Sequence, residues 1–188
     1  MAERTVENNS TEIPEFPELL EQVLLFALDE GKEKMEQDGE VVPFSVLVVK
    51  DNVFIETHPG DDPEACFAQA QRTVAGARGA DAYAFCYDGY ADTDAGQKDV
   101  LIAEGGVPGA DTGYAVGYLY ELEKDGEIDF EDDPMYIGTA PNFMANLKDA
   151  SAYTDEDIDA KYLDDDDECD CGCHDDEADA DEPEDDAE

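Results

Sequence analysis

The 188-residue sequence has no tryptophan and only ten basic residues, seven lysines and three arginines. Against these stand 53 acidic residues, for a formal net charge of −43. A nucleic-acid interface needs a positive face to meet phosphates, and so few dispersed cations cannot build one. An anionic membrane surface would repel the chain for the same reason. Long apolar runs are also missing. None exceeds the six residues of Val23 to Leu28, against the roughly 20 of a membrane-spanning helix. Residues 1–19 show neither the basic start nor the apolar stretch of a secretory signal. The expectation is a soluble cytoplasmic protein.

Several motifs of chemistry are absent too. There is no Gly-x-x-x-x-Gly-Lys-Ser/Thr phosphate loop and no His-Glu-x-x-His pair. Gly105, Gly106, Gly109 and Gly113 precede a strand pattern rather than a helix, so they form no dinucleotide fingerprint.

What is present suffices for a core: 41 % of residues are hydrophobic, with nine tyrosines and eight phenylalanines for bulk. The charge is uneven. From Thr154 to Glu188 there are 20 acidic residues and one lysine, leaving 33 acidic and 9 basic residues before it, a net of −24. Runs such as Asp164 to Glu168 repel themselves and bury nothing, so the reading is a disordered acidic tail. Salt adaptation would also enrich acids.

Periodicity divides the rest. Residues 1–13 are polar and read as a flexible N-terminus. Leu20, Val23, Leu24, Ala27, Leu28 and Met35 share one helical face, starting near Pro17 and stopping at Gly39. Val41 to Val49 is rich in β-branched residues and reads as a strand, buried on both faces after Pro43, and Asp51-Asn52 supplies a turn into Val53–Thr57. Asp62 and Pro63 start a second helix that runs to about Ala77. Ala82–Tyr87, Asp99–Glu104 and Tyr114–Glu123 read as strands, with a loop over Asp88–Gln97. Asp125-Gly126 turns into Glu127–Phe130, and Met135–Ile137 adds a short edge piece. The expectation is one α+β domain over residues 14–147, mainly an antiparallel sheet of about five strands with two helices on one face. Residues 148–188 are assigned to the tail.

The opening amphipathic helix, Pro43-Phe44 at a strand start, Asp99-Val100-Leu101-Ile102-Ala103-Glu104 and Tyr118 to Tyr120 resemble small bacterial α+β domains of unassigned function. The element order is similar to that of roadblock-type scaffolding domains. The resemblance implies a fold and carries no catalytic residues with it.

Few residues are candidates for chemistry. His58, in Thr57-His58-Pro59-Gly60, reads as a loop histidine, satisfied or exposed. Cys66 lies in the first turns of the second helix among acidic neighbours that oppose a thiolate, and Cys86 reads as core. Asp99 and Glu104, at the two ends of a strand, read as solvent-facing. Asp155, Asp157 and Asp159 alternate as a calcium loop begins, but Ala160 stands where the turn needs glycine.

One constellation rises above this background: Cys169, Cys171, Cys173 and His174 in the tail. Thiolates and imidazole suit zinc or copper(I). Four donors in six residues strain a closed single-ion site, so two or three of them shared with Cys66, a second chain or a partner are the easier geometry. An inert reduced thiol cluster and a redox pair are the alternatives. The functional expectation is a non-enzymatic protein-interaction module with an unknown protein partner. A homodimer through an open sheet edge fits it, and thiophilic metal binding or delivery by the tail is the alternative.

Overall fold

The computed structural model describes residues 14–60, 62–93, 96–124 and 126–163. In chain order these form α1 (Glu18–Asp38), β1 (Phe44–Val49), β2 (Asn52–Thr57), α2 (Pro63–Gly76), β3 (Ala80–Thr93), β4 (Gly96–Gly106), β5 (Thr112–Leu122), β6 (Ile128–Phe130) and β7 (Met135–Pro141). Single 3-10 turns follow at Ala150–Ala152 and Ala160–Tyr162. Every strand pair is antiparallel, in the order β2-β1-β3-β4-β5. The far edge of β5 is shared: β7 pairs with Thr112–Gly117 and β6 with Tyr120–Leu122.

The α+β class holds, with seven strands rather than about five. One reason is that β3 and β4 continue through the segment expected to be a loop, pairing Asp88 with Leu101 and on to Thr93 with Gly96. Paired backbone tolerates polar side chains on a projecting hairpin, so composition alone suggested a loop. The β1–β2 turn is also one residue earlier than expected. Val49 pairs with Asn52, and Lys50 takes the left-handed conformation, φ 56°.

The helices lie on opposite faces of the sheet, not on one. α1 sets Leu20, Val23, Leu24, Ala27, Leu28 and Met35 against Phe44, Val46, Ala84, Leu101 and Val116. α2 sets Ala70 and Val74 against Leu47, Val49, Tyr83, Phe85 and Ile102. The cause is in the strands: every residue of β1 is buried, and β3 alternates aromatic and small apolar residues. A central strand that is apolar on both sides needs cover on both.

Local sequence explains the helix ends. Gly39, φ 78°, stops α1, and its N–H bonds to Met35 O. The Asp62 side chain accepts from the N–H of Glu64, ahead of Pro63. Gly31 is inside α1 because a Cβ there would sit 2.7 Å from Cys86 Sγ.

The folded part extends past the expected boundary at residue 147. Phe143 and Met144 are buried beside α2, and Ile158 and Tyr162 pack onto the same face of the sheet. The ring of Tyr162 meets Phe54 edge-on at 5.2 Å. Lys50 pairs with Asp155 at 2.9 Å, and Lys161 with Glu56 at 3.0 Å. Acidic composition hid two well-placed apolar residues. The expected flexible N-terminus, residues 1–13, and the acidic stretch 164–188 lie outside the described residues.

Candidate functional site

The α2 face of the sheet carries the three buried polar side chains among the described residues: Ser45, His58 and Glu104. Register aligns them. Ser45 pairs with Glu56 on β2 and with Phe85 on β3, and Phe85 pairs with Glu104 on β4. Directly paired residues share a face, so Glu56, Ser45, Phe85 and Glu104 form one row across four strands.

His58 leaves β2 and folds over this row. Its N–H bonds to Pro43 O, its Nε2 lies 2.8 Å from Ser45 Oγ, and its ring centroid is 6.0 Å from that of Phe85. It is 2 % exposed, so it is a buried, hydrogen-bonded histidine rather than an exposed loop one. Burial pushes its pKa below the usual imidazole value, with the Glu56 carboxylate acting weakly the other way. Burial pushes the Glu56 carboxyl up, and hydrogen bonds from Lys161 and Thr73 outweigh it, leaving Glu56 below the usual range.

A hydroxyl beside an imidazole is the beginning of a nucleophile–base pair. Here both groups are sealed. Ser45 has no exposure, and Glu56 is engaged by Thr73 at 3.1 Å and Lys161 at 3.0 Å. A substrate carbonyl has no approach to Ser45 Oγ, so the geometry supports a packing role for the pair.

Glu104 departs from its solvent-facing expectation. It is 1 % exposed, and Tyr87 Oη donates to its Oε1 at 2.6 Å, a length usual for a hydroxyl on a carboxylate. The strand parity that buries Val100 and Ile102 also points Glu104 inward, a signal present in the sequence. Asp99, at the other end of the strand, is only partly buried.

The remaining candidates are separate. Cys66 is buried, with its thiol 3.6 Å from Gly60 O, and Cys86 is buried in the α1 face, where burial raises its pKa. The alternating aspartates diverge: Asp155 binds Lys50, Asp157 accepts from the N–H and hydroxyl of Thr154, and Asp159 accepts from the N–H of Lys161. Among the described residues no three His, Cys, Asp or Glu side chains gather as a metal site. Cys169, Cys171, Cys173 and His174 lie outside those residues.

Two surface features adjoin the row. One is a cleft of about 590 Å³ at the end of the sheet where β1 stops and β3 continues. Its walls include Phe67, Phe85, Tyr87 and Cys66, and among the described residues its charged lining is Glu40 and Asp88. Tyr120 Oη donates to Asp88 Oδ1 at 2.7 Å. Burial raises the Asp88 pKa, opposed by that hydrogen bond.

The other feature is the outer strand, β2. Phe54 and Glu56 are covered by Tyr162 and Lys161 on the α2 face. On the α1 face Val53 is 52 % and Ile55 44 % exposed, because α1 lies over β3 and β4 and stops short of β2. Leu19 and Phe26, one heptad apart on α1, are exposed as well. They lie on the side of the helix toward Lys34, whose ammonium sits 5.6 Å from the Phe44 ring. No helix among the described residues is long and apolar enough to cross a membrane. Comparison with protein-family models, curated proteins and solved structures gives no match.

Proposed function

We propose that the chain is a non-enzymatic interaction module that docks through β2, and that the partner it fits first is a second copy of itself. The observation that carries this is an edge strand with a bare apolar side. Edge strands are normally protected by lysine, proline or a bulge. β2, Asn52-Val53-Phe54-Ile55-Glu56-Thr57, has none of these, and its one charge, Glu56, is already paired with Lys161. In a chain of −43 this is a locally neutral strip. Antiparallel pairing about a two-fold axis at Phe54 would set Val53 against Ile55 of the second copy, with the Leu19 and Phe26 flanks of the two α1 helices alongside.

The whole-chain charge opposes association until salt screens it. Sedimentation should therefore show dimer at about 0.3 M salt and a shift toward monomer at low ionic strength. Ile55→Lys should be monomeric in both conditions with its thermal transition retained. A wild-type chain that stays monomeric at every salt concentration overturns the reading.

A second reading rests on the sequence cluster Cys169, Cys171, Cys173 and His174. In it the acidic end adds capture of a thiophilic ion, zinc or copper(I), to the module. Native mass spectrometry of the reduced chain with zinc, beside a chain ending at Leu163, separates the two. One tightly held ion lost on truncation supports capture. Equal weak binding by both chains removes it.

A further inference from the structure

We propose that the acidic run following Leu163 is an electrostatic gate on β2, holding two copies apart until salt screens it. This rests on docking through β2 and adds the regulation of that site.

The placement comes from the strap formed by residues 154–163. Ile158 is buried against Gly79, where a Cβ would sit 2.7 Å from its side chain. Lys161 and Tyr162 then carry the chain onto the outer strand. Lys161 Nζ is 3.0 Å from Glu56, and the Tyr162 ring is 5.2 Å from Phe54. Tyr162 is 3 % exposed, so this seat is packed rather than a loose surface contact. Phe54 is the residue on which the two-fold axis of the docked pair falls. The strap therefore ends at the docking axis, and Asp164 follows Tyr162 by two residues, at most about 8 Å of chain.

The charge comes from the sequence. Leu163 is followed by Asp164-Asp165-Asp166-Asp167-Glu168, and residues 164–188 hold 16 acidic residues with no lysine or arginine. Symmetry doubles this. Antiparallel pairing about a two-fold axis keeps both α2 faces on one side, so both runs start beside the same axis. Lys50 and Lys161, next to the strap, are already engaged by Asp155 and Glu56. The strap thus acts on β2 in two opposite ways. Lys161 neutralises the strand, and the run that follows repels a second copy. At about 0.05 M salt a charge acts over little more than about 10 Å, so its position along the chain decides what it repels.

Sedimentation of four forms tests this. They are the full chain, a chain ending at Leu163, and two full-length variants of equal net charge. The proximal variant carries D164N, D165N, D166N, D167N and E168Q. The distal variant carries D181N, E182Q, E184Q, D185N and D186N. At about 0.05 M salt the proximal variant and the shortened chain should dimerise about tenfold more tightly than the full chain. The distal variant should gain less than about twofold, and all four should converge near 0.5 M salt. Equal gains from the proximal and distal variants would assign the repulsion to overall charge and overturn the gate alone. So would a shortened chain no tighter than the full one. No dimer in any form, or a shortened-chain dimer that survives Ile55→Lys, removes docking through β2 and the gate with it.

Discussion

On one face of the sheet a single 21-residue helix, α1, lays a continuous apolar stripe onto Phe44, Val46, Ala84 and Leu101. On the other, a 14-residue helix covers part of the surface, and the chain from Phe143 to Tyr162 patches the rest. Ser45, His58 and Glu104 are all buried beneath this patchwork. The first face is held by shape and apolar area. The second also relies on buried hydrogen bonds, Ser45 with His58 and Tyr87 with Glu104, because an unmet buried polar group costs more than a met one contributes. A sheet can thus be sealed by one regular element or by several irregular ones, and the irregular solution is where polar groups become buried.

The largest expected effect comes from removing the patch. Ending the chain after Tyr153 takes away Ile158 and Tyr162, and should cost about 4 kcal/mol in denaturant unfolding. Ending it after Leu163 should change stability by less than about 0.5 kcal/mol. Equal stability of the two truncations would erase the distinction between patch and tail.

Next is the regular face. Leu28 has no exposure and lies against the sheet under α1, so Leu28→Ala should cost about 3 kcal/mol by the same measurement. A loss below about 1 kcal/mol would mean that the helix repacks freely and is not held by shape.

A smaller effect sharpens the contrast. Tyr87→Phe removes the hydroxyl that Glu104 accepts from, and should cost about 2 kcal/mol. Replacing both groups, Tyr87→Phe with Glu104→Leu, should recover part of that loss. A double variant less stable than the sum of its single variants would contradict the polar account of this face.

The smallest effect is pH dependence. Burial depresses the His58 pKa, so the unfolded chain binds a proton that the folded chain refuses. His58 therefore contributes most above the unfolded imidazole value of about 6.5 and less as pH falls through it. The melting temperature of the wild type should fall on acidification relative to His58→Gln. An identical slope in both would show that His58 does not discriminate between protonation states.

Much of this arrangement was legible in the sequence. The helical spacing from Leu20 to Met35, the Gly39 stop and the Asp62-Pro63 start all gave correct elements, because each depends on neighbours in the chain. The alternation along Ala82–Tyr87 is plain in the sequence, and it sets Tyr83, Phe85 and Tyr87 on the α2 face and Ala82, Ala84 and Cys86 on the α1 face. The misplaced features depend on distant partners. Whether Asp88 to Thr93 is loop or strand is decided by β4. Ile158 and Tyr162 sit among aspartates, and their burial is decided by Gly79 and Phe54. The polar row could be read only once three registers were known, since Ser45 and Glu104 are far apart in sequence and meet through Phe85. The cleft is a difference in length between two strands, which no local pattern records.

The close seat of Gly31 has a consequence in time. Its neighbours are Cys86 and Leu101, so the first helix made waits for partners that follow about 55 and 70 residues later. During synthesis its apolar stripe is complete long before β4 exists, and folding is set by the closure of that long interval. A chain released early would expose a finished helix with nothing to cover, the form in which a chaperone would meet it.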